Sequence, residues 1–167
     1  GQRIAFDICP VNIVLNHLAA KTGLPYDQDG RLASSGNVIP ELLENLNLLQ
    51  YYHLQPPKSL GREWVENEFL PLVSASNSTL NDLLATVTEH IAFQIAACVP
   101  DSVVNMVVTG GGAFNSYLIS RLISHTNVEV MIPPADIINY KEALIFALLG
   151  LLRMNRIPNC LPSVTGA

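Results

Sequence analysis

The sequence predicts an α/β layer fold whose sheet is at least partly parallel, and three observations lead to it. Residues 103–108 form an apolar run, buried on both faces by its composition, that passes through Thr109-Gly110-Gly111-Gly112 directly into a helical pattern. A second apolar run at 128–132 ends at Pro133-Pro134 and is followed by another helical pattern. Residues 78–99 carry apolar side chains three and four apart, the longest helical signal in the chain.

The elements follow in order. Residues 3–8 read as a short strand, because Ile4-Ala5-Phe6 is apolar and unbroken ahead of Asp7-Ile8-Cys9-Pro10. A helix over 12–20 comes next, with Ile13, Val14, His17 and Leu18 on related faces and Gly23 then Pro25 closing it. Residues 24–36 are polar and turn-rich, with a tight turn at Asp29-Gly30, which predicts a contact-bearing loop. Pro40 suits the first turn of a short helix over 40–49, where Leu42, Leu43, Leu46 and Leu49 keep helical spacing. Pro56-Pro57 interrupts the chain, and Lys58-Ser59-Leu60-Gly61-Arg62-Glu63 leads into a short helix through Trp64, Val65, Phe69 and Leu70. The long helix over 78–99 is capped by Ser76, Asn77 or Ser78 and stopped by Pro100. A helix over 113–124, a strand over 128–132, a strongly apolar helix over 140–154 and a turn-like tail over 158–167 complete the chain.

At 167 residues and 49% hydrophobic content the chain holds one sizeable core and is short for two, so a single domain over 1–167 is expected. Its apolar runs end at about 15 residues, short of the roughly 20 that span a bilayer. A soluble chain without a membrane partner is expected. Gly1-Gln2-Arg3-Ile4 lacks the pattern of a secretory signal, which points to the cytoplasm. A net charge of -5, with no basic run, argues against a nucleic-acid partner. Cys9, Cys98 and Cys160 are odd in number, widely separated and without a CxxC, so neither a disulfide framework nor a zinc site is expected.

Val107-Val108-Thr109-Gly110-Gly111-Gly112-Ala113-Phe114-Asn115 is the strongest local signal for chemistry. Glycine lets a backbone adopt unusual dihedrals and lets a ligand approach, and the helix that follows offers N–H groups to an anion. The alternative is a tight strand-to-helix turn with no ligand. It is neither a P-loop, lacking Gly-Lys-Ser/Thr, nor the spaced glycines of a dinucleotide fold. Asp7 stands at the C-terminal end of the first strand, where ligands of open α/β sheets gather and a carboxylate can take a proton or bind a metal; the plainer role is a helix cap or turn former. Glu142, on the first turn of the last helix, also suits the helix dipole. Lys58, Arg62 and Glu63 are candidates for phosphate or sugar contact, or a solvated charge cluster. His17 and His90 fall at apolar-face positions and read as packed or partly exposed residues, not as ligands.

Six blocks of this sequence, in register, resemble the anhydro-N-acetylmuramic acid kinase family. They are Asp7-Ile8-Cys9-Pro10-Val11-Asn12, Tyr26-Asp27-Gln28-Asp29-Gly30, Ala33-Ser34-Ser35-Gly36, Pro56-Pro57-Lys58-Ser59-Leu60-Gly61-Arg62-Glu63, Gly110-Gly111-Gly112-Ala113-Phe114-Asn115 and Glu142-Ala143-Leu144-Ile145-Phe146-Ala147. The resemblance implies the C-terminal lobe of an actin-like (ribonuclease H-like) sugar kinase, a mixed sheet flanked by helices. It implies a reaction in which ATP and Mg²⁺ serve to convert 1,6-anhydro-N-acetylmuramic acid into N-acetylmuramic acid 6-phosphate, a step of peptidoglycan recycling. Asp7 matches the family's base, which activates water. Gly110, Gly111, Gly112 and Asn115 match the turn against the nucleotide, and Glu142 matches an acid near the site. Phosphoryl transfer needs positioning and charge neutralisation above all, which agrees with this equipment.

Two departures stand out. The family has glycine where this chain has Cys9 and Val11, and the N-terminal, phosphate-binding half of the family has no counterpart here. Gly1, abutting a strand, suggests a segment of a longer chain, so the partners to expect are that N-terminal lobe, ATP and an anhydro amino sugar, with a second copy in a homodimer as a further candidate. The chain alone is expected to fold without turning over. The alternatives are a non-catalytic actin-like nucleotide-binding or partner-binding module and a kinase for a different sugar.

Overall fold

The computed structural model describes residues 4–159. In chain order these form α1 (Asn12–Ala19), α2 (Arg31–Ser34), α3 (Pro40–Asn47), α4 (Arg62–Trp64), α5 (Leu70–Ala75), α6 (Leu80–Ala97), β1 (Asn105–Val107), α7 (Ser116–His125), β2 (Glu129–Met131) and α8 (Ala135–Met154). A π-helical stretch, Val65–Phe69, joins α4 to α5 just ahead of Pro71, whose missing N–H cannot continue the α-helical ladder.

α6 is the axis of the molecule. It begins at Thr79, whose hydroxyl oxygen accepts the Asp82 N–H at 3.2 Å while its hydrogen goes to the Asp82 carboxylate at 2.7 Å. Thr79 caps instead of Ser76, Asn77 or Ser78 because it alone has an acid three residues on to close this reciprocal pair. α1, α2, α3 and α7 pack around α6, so all of residues 83–92 are buried, as expected of a helix enclosed on every side. Leu18, Leu46, Phe69, Leu84, Ile91 and Leu122 fill the centre.

Most of the polar groups this helix buries are matched; among the described residues the Thr88 hydroxyl is buried without a hydrogen-bond partner. Thr86 Oγ1 donates to the Asp82 carbonyl at 2.7 Å and accepts the Ile39 N–H at 2.9 Å. His90 is fully buried, and burial drives its pKa down to about 3, so the ring is neutral. Its Nδ1–H donates to Asn47 Oδ1 (2.7 Å) and its Nε2 accepts from the Tyr52 hydroxyl (2.9 Å). Glu89 binds Arg121 Nε at 2.5 Å and His125 Nε2 at 2.7 Å, which ties α6 to α7; the Arg121 hydrogen bond holds its carboxyl below the usual range. His90 is thus packed, as its position predicts, whereas His17 is exposed and Val14, Leu15, Leu18 and Ala19 form the buried face of α1.

β1 and β2 form a parallel pair in the register Asn105↔Glu129, Met106↔Val130, Val107↔Met131, with α7 as the crossover between them. Met106 and Val108 pack on the core, but Val107 and Met131 stay exposed, so the run expected to be buried on both faces is covered on one. Residues 4–8 form no strand. Asp7 N–H donates to the Lys58 carbonyl at 3.2 Å, and among the described residues no neighbouring strand extends that contact into a ladder. Arg3 and residues 160–167 lie outside the described region. The expected loop over 24–36 contains α2, and α8 starts at Ala135, right after Pro134, so Glu142 lies two turns into the helix and the acid of its first turn is Asp136.

Candidate functional site

Gly110 adopts φ +86°, a left-handed angle that swings the chain from β1 into the turn Gly111–Phe114. Asn115 then caps α7, its Oδ1 accepting the Leu118 N–H at 3.0 Å. A Cβ on Gly111 would come within 2.9 Å of Asn12 Nδ2, so the bare backbone is what lets the first residue of α1 lie against the turn. Gly112 faces Val11 in the same way, at an ordinary 3.7 Å from its Cγ1. The Val11 side chain is accommodated by this contact.

The opposite wall comes from Tyr26–Asp29. Asp27 is buried and its carboxylate accepts the N–H groups of Leu32 (2.9 Å) and Ala33 (3.0 Å), anchoring the start of α2. Gly30, at φ +71°, sits so close to α7 that a Cβ there would collide with the Asn115 carboxamide and lie 2.6 Å from Tyr117 Cβ. Between these walls lies a cleft of about 430 Å³ whose lining includes Asn12, Asn16, Tyr26, Asp27, Asp29, Gly111, Phe114 and Asn115. Amide side chains for orientation and two exposed aromatic rings, Tyr26 and Phe114, give it the make-up of a small-molecule site. Lys141 of α8 does not line the cleft but places a cation beside the turn that borders it: its Nζ stands 3.5 Å from where a Gly110 Cβ would be. Sequence reading passed over Lys141. Its only signal was the place beside Glu142, one turn on from the apolar Ile138.

Asp7 lines different cavities. One, of about 460 Å³, runs along residues 6–11 and Leu60–Arg62, and the other, of about 420 Å³, lies against Pro57-Lys58-Ser59. The Asp7 side chain is exposed; Oδ2 accepts the Leu60 N–H at 2.8 Å, and the Asp7 carbonyl accepts the Tyr51 hydroxyl at 2.6 Å. Its other carboxylate oxygen is left to meet solvent or a ligand. The Asp7 and Gly111 cavities are neighbours across Val11-Asn12, and none of these three contains both residues. Cys9, in the same stretch, is half-buried, and burial pushes its thiol up to about 12, so it is a packing residue with no thiolate character.

The remaining expected residues are placed as follows. Lys58 Nζ donates to the Tyr51 carbonyl at 3.1 Å and lies 4.7 Å from the Tyr51 ring centroid, beside Asp7. Arg62 pairs with Glu66 at 2.7 Å on the exposed face of α4, and Glu63 is exposed next to Gly61. Glu142 is exposed on α8, where Lys141 reaches the glycine turn in its place. Among the described residues no three His, Cys, Asp or Glu side chains gather as a metal site.

The family model described as anhydro-N-acetylmuramic acid kinase matches residues 1–167. Similar proteins carry the same description. That of Variovorax paradoxus (strain S110) is 38% identical, over 98% of this chain and 46% of the relative. That of Streptomyces coelicolor is 37% identical over 100% and 45%, and that of Nitrosospira multiformis 34% identical over 100% and 48%. The chain spans about half the length of the curated relatives it matches.

Proposed function

Because this chain belongs to the anhydro-N-acetylmuramic acid kinase family, we propose that it supplies the actin-like, nucleotide-binding lobe of an ATP-dependent sugar kinase. The reaction is conversion of 1,6-anhydro-N-acetylmuramic acid to N-acetylmuramic acid 6-phosphate, a cytoplasmic step of peptidoglycan recycling. The observation that carries the reading is the Gly110–Gly112 turn, where a left-handed glycine leads into a second glycine that lies closely against the Asn12 side chain at the edge of an aromatic-flanked cleft.

The residues divide the work. Backbone N–H groups of the turn and the Lys141 ammonium face the anionic end of a nucleotide, while Tyr26, Phe114 and the amides of Asn12, Asn16 and Asn115 surround the rest. Asp7, oriented by the Leu60 N–H, takes the proton from the water that opens the anhydro ring as the sugar O6 becomes the phosphoryl acceptor. Lys58 stands beside that carboxylate and suits a polar sugar group or a phosphoryl oxygen. Mg²⁺ would be held here mainly by phosphates and waters, as such sites hold it, and would supply neutralisation of phosphate charge, which leaves the uncommitted Asp7 oxygen for the proton. Asp7 and the glycine turn line separate cavities, so the complete site takes its closing wall from the other half of a family-length protein.

Calorimetric titration of ADP into the chain tests the cleft. Gly111→Val places side-chain atoms on Asn12 and is expected to abolish binding with the fold intact. Equal affinity in the variant would remove the turn from the site. Phosphorylation of the anhydro sugar by this chain alone would overturn the division of the site between two halves.

A further inference from the structure

α8 is a 20-residue helix, about 30 Å long, with one buried residue, Ile138. Lys141, Leu149 and Leu152 on the same side are half-buried. A quarter turn away Ile137, Tyr140, Leu144, Leu148 and Leu151 form a continuous stripe at helical spacing, each between 48% and 68% exposed. From Ala143 to Leu152 no side chain is polar or charged. A helix apolar on more than one side belongs inside a larger body, and a stripe of this size is not left open to water by chance.

We propose that this stripe is the docking face for the half of a family-length protein that this chain does not contain, whether that half is joined to it or separate. The inference rests on the two-lobed reading above and names the surface that reading leaves open. Three observations select this occupant. The chain matches 45–48% of its relatives' length, so a family-length molecule carries a second body of comparable size. The parallel β1–β2 pair leaves Val107 and Met131, cross-strand partners, uncovered, whereas parallel sheets are covered on both faces. Lys141 reaches Gly110 from the residue next to Tyr140, so a body seated on the stripe lies beside the glycine turn and can close the cleft.

Other occupants fit less well. The opposite face carries Asp136, Asn139, Glu142 and Arg153, without the Lys and Arg excess of helices that lie on anionic membranes, and α8 is not long and apolar enough to cross one. Twenty residues also fall short of the three to four heptads that sustain a coiled coil between copies.

The test mixes this chain with the part of the Variovorax paradoxus relative that it does not match, and follows complex formation by light scattering, α8 protection by hydrogen exchange, and sugar phosphorylation. The expected result is a one-to-one complex with the amides of α8 protected. Leu144→Glu, at an exposed position and therefore expected to leave the circular-dichroism spectrum intact, should weaken the complex about 30-fold or more, as a central contact residue does. Leu148→Lys repeats the test with the opposite charge. A complex with unprotected α8, a complex indifferent to both substitutions, no complex, or an α8 covered by a second copy or by anionic vesicles would each overturn the proposal. Docking through α8 without phosphorylation would instead leave the surface standing and remove the kinase reading.

Discussion

Gly23 and Gly30 share a left-handed backbone, φ +79° and +71°, but not their surroundings. Nothing lies within 4 Å of a Cβ on Gly23, while one on Gly30 meets the Asn115 carboxamide and Tyr117 Cβ. Alanine at either site incurs the dihedral cost of a left-handed L-residue, about 1–2 kcal/mol. At Gly30 it also displaces the Asn115 cap of α7, worth about 1 kcal/mol, and overpacks the contact, which adds about 1 kcal/mol or more. Gly30→Ala is therefore expected to be about 2 kcal/mol less stable than Gly23→Ala, or about 4–8 °C lower in Tm for a chain of this size. Thermal and urea unfolding of the two variants measure that difference. ADP titration adds a second reading, since Asn115 lines the cleft and only Gly30→Ala should lose affinity. Equal stabilities and equal affinities would refute the claim that the 26–30 wall is pressed onto the cap of α7.

Further expectations concern the carboxylate, the cation and the buried imidazole. Asp7→Asn keeps an acceptor for the Leu60 N–H, so in a complex with the complementary half it should retain nucleotide affinity while the rate falls about 10²- to 10⁴-fold, measured by ADP release. Lys141→Met should weaken ADP binding and leave adenosine binding unchanged, with Lys141→Arg restoring much of the loss; calorimetry with both ligands decides. His90 has a folded pKa near 3 against an ordinary 6.5, so on acidification the unfolded chain takes up the proton first. Its stabilisation is complete above 6.5 and declines by up to about 1.4 kcal/mol per pH unit as pH falls towards 3. The depressed Glu89 carboxyl adds loss in the same direction below its ordinary range. Urea midpoints at about pH 7 and about pH 5 should diverge, and His90→Gln should flatten that slope if the variant folds.

What could be read from the sequence was what spacing encodes. The three-and-four pattern of Leu83, Leu84, Val87 and Ile91 marks α6, and the order of strand, glycine turn, helix and strand marks the β1–α7–β2 unit. The strand expected over 3–8 is absent at residues 4–8, because an apolar run becomes a strand only when a neighbour offers a ladder, and among the described residues none does. Asp27 and Asp29 look alike in a polar loop, yet one carboxylate is buried on two N–H groups of α2 and the other is paired with Arg31 at the surface. Lys141 was invisible because its meaning depends on how α8 lies over Gly110, a distance of 31 residues along the chain. The apolar character of the last helix was plain, but its exposure was not, since composition does not say whether the body that would bury a helix is present.

The Glu89 carboxylate grips two side chains of α7 that lie one turn apart, Arg121 and His125. Sliding or rotating α7 along the axial helix breaks both grips at once, and the glycine turn and the Asn115 cap ride on α7. One side of the cleft is thereby bolted in place before any ligand arrives, and no affinity is spent on arranging it. Whatever opens or shuts around a bound molecule has to come from the other side.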